Sequence, residues 1–220
     1  MEELALIAAR HRVSVHVDAV QAFGKLAELP FALVTSVAVA AHKIRGPKGI
    51  GALAFRGAAP PPVLVGGSQE RGLRPGTVDP VAASGFAEAV ALAESAPERW
   101  AALAPLRDAF ERGVAGQGAL QNGTGPRLPH VSNVFVLGAR GDELVAALDL
   151  LGVRVSSGSA CSAGTTEASP VIGSMLGPER ARSAVRVSLG EGVTSEQVAV
   201  AVRAFLTAIA RTRGEASEPL

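Results

Sequence analysis

Leu33-Val34-Thr35-Ser36-Val37-Ala38-Val39-Ala40-Ala41-His42-Lys43 is the stretch that decides the fold. Its first nine residues form a valine-rich run with no charge and no polar/apolar alternation. Such a run reads as a strand buried on both faces, the kind found in parallel sheets covered by helices. Upstream, residues 2–12 place Leu4, Ile7 and Ala8 at helical spacing, and residues 13–17 read as a short strand followed by Asp18 and Gln21. Downstream, the turn Gly46-Pro47-Lys48-Gly49 leads into a strand over residues 50–55. Residues 58–62 and 66–76 are loop-like, and 81–94 and 97–114 read as helices. A second set comes next: strands over 131–137, 153–155 and 184–189, and helices over 142–151, 169–176 and 195–211. Alternating strands and helices predict an α/β fold. A seam at Ser95-Ala96-Pro97 predicts domains over residues 1–96 and 97–212, with 213–220 as a frayed tail. No internal repeat is visible.

Bulk properties narrow the function. The chain has 220 residues, 48% of them hydrophobic and 19% charged, enough apolar material for a core. The net charge of +1 argues against a nucleic-acid surface or a polybasic membrane patch. No apolar run reaches the roughly 18 residues of a membrane span. The acidic start Met1-Glu2-Glu3 does not fit a secretory signal. A single cysteine without a targeting segment points to the cytoplasm. Only Lys25, Lys43 and Lys48 are lysines among 21 basic residues, so each position where an amine is retained bears inspection.

Three residues stand out chemically. Asp18 ends one apolar strand, where open α/β sheets place ligand-contacting groups; a cap or turn role is its bland alternative. Lys43 follows the next apolar strand, where an amine is either solvated or paired, neutral or covalently modified. If the two strands are neighbours, Asp18 and Lys43 share one rim. A lysine and an aspartate at one rim suit pyridoxal phosphate: the amine forms a Schiff base, and the carboxylate keeps the pyridine nitrogen protonated. Cys161 lies in Val155-Ser156-Ser157-Gly158-Ser159-Ala160-Cys161-Ser162-Ala163-Gly164, a run of tiny residues that bury little surface. With no partner for an internal disulfide, that thiol reads as a reagent on a loop free to move. No metal site is expected.

Five segments together resemble the cysteine desulfurases, within the class V aminotransferase-like, fold-type I pyridoxal phosphate enzymes. They are His16-Val17-Asp18-Ala19-Val20-Gln21, the 41–51 segment from Ala41-His42-Lys43 to Gly51, Gly66-Gly67-Ser68-Gln69 through Arg74-Pro75-Gly76-Thr77, Ser156-Ser157-Gly158-Ser159-Ala160-Cys161, and Val185-Arg186-Val187-Ser188-Leu189-Gly190. The cysteine-bearing segment is similar to the NifS/IscS type rather than the SufS type. The resemblance implies the C-terminal part of a large domain with a mainly parallel sheet, plus a small C-terminal α/β domain. It implies Lys43 as the Schiff-base lysine, Asp18 as partner of the pyridinium nitrogen, and Gln21 as donor to the ring oxygen. It puts His42 beside the cofactor phosphate and has Thr77 reach the phosphate of a neighbouring subunit in a homodimer. Arg186 would bind the substrate carboxylate, and Cys161 would accept sulfur from L-cysteine for an iron–sulfur scaffold protein or a tRNA-thiolation carrier. Neither direct nucleic-acid binding nor membrane association is implied.

Two departures accompany this resemblance. Ala40 stands where the family usually has a phosphate-binding serine, a loss of one donor worth about 0.5–1.5 kcal/mol. Family members are nearly twice as long, and their first half supplies a phosphate loop, a ring-stacking histidine and a ring asparagine. His11 and His16 are too close to Asp18 to be that histidine. Residues 13–17 are therefore expected to present open strand edges. These departures leave a second function class, a catalytically inactive remnant serving as a dimerisation or acceptor-docking module.

Overall fold

The computed structural model describes residues 2–158 and 168–215. They divide into two compact units, Met1–Glu98 and Arg99–Leu220. Cys161 and the last five residues of the expected tail lie outside the described residues.

In the first unit, α1 (Glu2–Arg10) precedes β1 (His16–Asp18), β2 (Ser36–Ala40) and β3 (Gly51–Phe55). β2 is central. It pairs parallel with β1, with Asp18 opposite Ala38, and antiparallel with β3, with Ala40 opposite Gly51. An antiparallel edge on a parallel pair is a common ending for an α/β sheet. Two small clusters include residues of this sheet. Ala5, Ala19, Val34 and Val37 form one; Ala41, Ile44, Phe86, Ala89 and Ala93 form the other, with Val39 packed against both. Phe86, Ala89 and Ala93 belong to α2 (Pro80–Ala93), and the small side chains of Ala89 and Ala93 let this helix approach the turn after β2 closely. α2 begins as its sequence dictates: the Asp79 side chain accepts from the Ala82 amide at 3.0 Å, and Pro80 occupies a first-turn position needing no donor.

The second unit contains α3 (Ala96–Ala101, which starts before the division), α4 (Ala104–Ala115), β4 (Ala119–Gln121), β5 (Val131–Val136), α5 (Gly141–Leu150), α6 (Pro170–Leu176), α7 (Pro178–Arg182), β6 (Ala184–Ser188) and α8 (Ser195–Thr212). Its sheet has the order β4-β5-β6, antiparallel throughout. Phe110, Val114, Leu144, Leu148, Phe205 and Ile209 fill its core, with Phe110 and Phe205 edge to face at 5.2 Å. Gly141 opens α5 where a Cβ would meet the Ala184 carbonyl oxygen at 2.7 Å, so no larger residue fits.

Three local readings are corrected. The single helix expected over 97–114 is broken into α3 and α4 around Leu103, because Pro105 resists the interior of a continuous helix. The strand expected over 153–155 reduces to one bridge, Ser156 opposite Arg186. β4 and α7 are additional elements, each too short to carry a periodic signal.

Candidate active site

β1 and β2 run parallel and adjacent, so their C-terminal ends open on the same rim. Asp18 is the last residue of β1. It is exposed, and its Oδ1 accepts the Val20 amide at 3.0 Å, which turns the chain away from the sheet. β2 passes directly into one tight helical turn, Ala41–Ile44, which presents the second group. Ala41 and Ile44 are buried and pin that turn, leaving His42 exposed and Lys43 half-buried between them. Arg45, in the left-handed region at φ 68°, ends it. Ala40 closes β2 with a methyl group where a hydroxyl would be a donor.

The chain leaving Asp18 coils over residues 19–26, with the Phe23 amide donating to the Ala19 carbonyl at 2.8 Å and the Leu26 amide to the Ala22 carbonyl at 3.1 Å. Gln21 and Lys25 therefore stand one turn apart, and the Lys25 Nζ donates to the Gln21 Oε1 at 2.7 Å. Lys25 is 5% exposed. Burial lowers its pKa below the ordinary lysine range, and the nearby Lys43 charge lowers it further. In the sequence Lys25 is one of only three lysines, with no role of its own to read. The signal that could have found it is its four-residue spacing from Gln21.

Thr77 is exposed in the segment leading to α2. That segment is locally constrained: Glu70 and Arg71 both adopt left-handed backbone (φ 50° and 59°), the Gly76 amide donates to Gln69 Oε1 at 3.3 Å, and Arg74 donates to the Pro75 carbonyl.

In the second unit, Arg186 sits half-buried on β6 between two partners. Asn133 of β5 lies opposite it on one side and Ser156 on the other. The Arg186 amide donates to the Ser156 carbonyl at 2.6 Å, and the Ser156 amide donates back at 3.1 Å. The cysteine-bearing segment thus starts from a residue hydrogen-bonded to the backbone of the arginine. It ends at α6, whose first-turn Ile172 amide is capped by the Ser169 hydroxyl at 3.3 Å. A cavity of about 430 Å³ elsewhere in this unit, lined by Arg107, Asp108, Glu111, Arg112, Gln121 and Arg127, contains none of the expected site residues. Its carboxylates are engaged by Arg107 and Arg127. Among the described residues there is no His, Cys, Asp or Glu cluster able to hold a metal ion.

A half-buried amine and an exposed carboxylate thus stand at adjacent parallel strand ends, with an amide one turn beyond the carboxylate. The class-V aminotransferase profile matches residues 1–200. The chain belongs to that family. The IscS-like cysteine desulfurase of Mycobacterium tuberculosis is 36% identical over 220 residues, covering 96% of this chain and 56% of that protein. A NifS-like protein from Rickettsia africae has a solved structure that superposes with a TM-score of 0.82 at 25% identity, over 94% of this chain and 56% of the other. A structure described as SspA in complex with cysteine gives a TM-score of 0.68 at 30% identity, over 86% and 54%. The chain spans about half the length of the curated relatives it matches.

Class-V aminotransferases and their desulfurase members are pyridoxal phosphate enzymes. The groups this chain brings to that rim, the Lys43 amine, the Asp18 carboxylate and the Gln21 amide, are of the chemical types that suit such a cofactor. Among the described residues, no helix is long and apolar enough to cross a membrane.

Proposed function

We propose that this class-V family member is a cysteine desulfurase, converting L-cysteine to L-alanine and leaving the sulfur as a persulfide on Cys161. The observation that carries the reading is the parallel register of β1 and β2, which brings Asp18 and the Lys43 turn to one rim. Pyridoxal phosphate, when bound, supplies an electron sink for the substrate's α-carbon. Lys43 would hold it through its side-chain amine and, once released, would move the substrate's α-proton. Asp18 would keep a positive charge at the ring nitrogen, Gln21 would donate to the ring oxygen, and His42 and Thr77 would serve the phosphate end, Thr77 that of a second subunit in a homodimer. Arg186 binds the substrate carboxylate through its two-pronged guanidinium. Ordinary thiols have a pKa of about 8.5, so Cys161 must first lose its proton, and the thiolate then attacks the substrate sulfur. The S–S bond forms as the substrate C–S bond breaks, and the β-carbon takes up a proton to complete alanine. The persulfide then passes to an iron–sulfur scaffold protein or a tRNA-thiolation carrier, and the single-cysteine composition supports a cytoplasmic setting for this exchange.

The test is direct. The protein is mixed with pyridoxal phosphate, its visible absorption recorded, and the adduct fixed with borohydride. A band that is lost in Lys43→Ala, with the label on the Lys43 peptide, supports the reading. Absence of any reducible adduct in the unmodified chain overturns it for this chain. Alanine formation and sulfide release from cysteine, both abolished in Lys43→Ala and in Cys161→Ser, test the transfer step.

A further inference from the structure

Lys25 is a buried amine for which the desulfurase chemistry has no use, and the geometry gives it one. We infer that Lys25 is a positioning residue that holds the Gln21 amide with its nitrogen turned outward as a donor. The inference rests on the proposed function for its meaning, since the group that Gln21 would serve is the ring oxygen of pyridoxal phosphate.

The argument begins with hydrogen-bond capacity. An amine on lysine donates, and as an ammonium it has no acceptor at all. A glutamine amide facing it must present the carbonyl oxygen, and the Lys25 Nζ meets Gln21 Oε1 at 2.7 Å. The NH₂ end is thereby left for another partner. Gln21 itself is exposed, so without this contact its amide would rotate among several states. The contact is rigid from below. Lys25 is 5% exposed, and Phe23, two residues before it, packs against the cluster containing Ala41 and Ile44. Gly24, between them, has φ +69°, and a Cβ there would meet Ile44 Cγ2 at 2.8 Å and the Ala93 Cβ at 3.0 Å. The coil bearing Gln21 and Lys25 is thus pressed against the same turn that carries Lys43. The lowered pKa of Lys25, set by burial and by the Lys43 charge, agrees with an amine placed for contact and not for solvation.

The experiment has two arms, both on the full 220-residue chain. In the first, without cofactor, the side-chain amide of Gln21 is observed by NMR in protein labelled at glutamine, the signal being identified by its loss in Gln21→Ala. A pair of amide-proton shifts displaced from those of a solvated glutamine is expected. In Lys25→Met they should collapse to a solvent-like signal, and Lys25→Arg, which keeps the donors, should restore them. A Gln21 signal unchanged in Lys25→Met overturns the inference. In the second arm, pyridoxal phosphate is added and trapped with borohydride. Lys25→Met should bind it roughly tenfold more weakly, the worth of one hydrogen bond near a charged group. It should also displace the visible band as Gln21→Ala does. A trapped adduct with the same band and affinity in both proteins overturns the inference and leaves the proposed function standing. No adduct in the unmodified chain overturns the proposed function, and the NMR arm still decides whether Lys25 orients Gln21.

Discussion

At the scale of single residues, the candidate site is a mixture of what strand ends announce and what only packing reveals. Asp18 and Lys43 were legible because each follows an apolar run, and the run's end is a local property. Lys25 was not, because its importance lies in burial and in the Gln21 contact, both products of how the 19–26 coil packs. The same holds for Asn122 and Asn133, whose side chains bond at 2.7 Å once β4 and β5 are in register. Eleven positions apart in a segment without periodicity, they carried no readable signal. Two predictions belong here. Arg186→Lys replaces a planar fork by a point charge and should lower kcat/KM for cysteine by roughly tenfold or more, while leaving the visible band of the bound cofactor intact. Steady-state alanine formation measures the first effect and absorption the second. Lys25 supplies a pH dependence. Its folded pKa lies below the unfolded value of 10.5, so between the two the unfolded chain binds more protons. Unfolding free energy therefore rises with pH across that window, and the amine costs most stability below it. Urea midpoints taken toward alkaline pH should rise in the unmodified protein relative to Lys25→Met, whose difference curve removes the groups that do not interact with Lys25 and keeps its coupling to Lys43.

At the scale of elements, helix starts were the most faithfully encoded features. α2, α6 and α8 each begin with a capping side chain that the sequence displays: Asp79, Ser169 and Thr194. Thr194 makes the fullest arrangement, accepting from the Gln197 amide while the Gln197 side chain accepts from the Thr194 amide at 3.0 Å. Thr194→Ala should cost about 1 kcal/mol, read as a lower urea midpoint with an unchanged slope. Strand bounds were less legible. Residues 153–155 have the valines of a strand, yet the pairing falls on Ser156, because what selects the paired residue is the neighbouring β6 and not the segment's own composition.

At the scale of the whole molecule, the α/β class followed from the alternation of apolar runs, while the antiparallel order of the second sheet did not, since short antiparallel strands leave no distinctive sign. The first sheet carries the larger consequence. Among the described residues β1 and β3 each pair on one side only, and four of the five residues of β3 are exposed. Val63, Val65 and Val81 are 96%, 88% and 81% exposed in the same unit. Open strand edges together with exposed apolar surface favour association. Sedimentation velocity of the chain alone should show its average mass rising with concentration, and Leu53→Lys, on the exposed strand, should suppress the rise. The exchange of bonds between Ser156 and Arg186 has a different reach. It fixes one end of the cysteine-bearing segment whatever residues come after it, and the Ser169 cap fixes the other. The bonds that hold Ser156 to β6 draw on no residue of the cysteine-bearing segment beyond 158, so the strand carrying Arg186 keeps its place when the rest of that segment is changed.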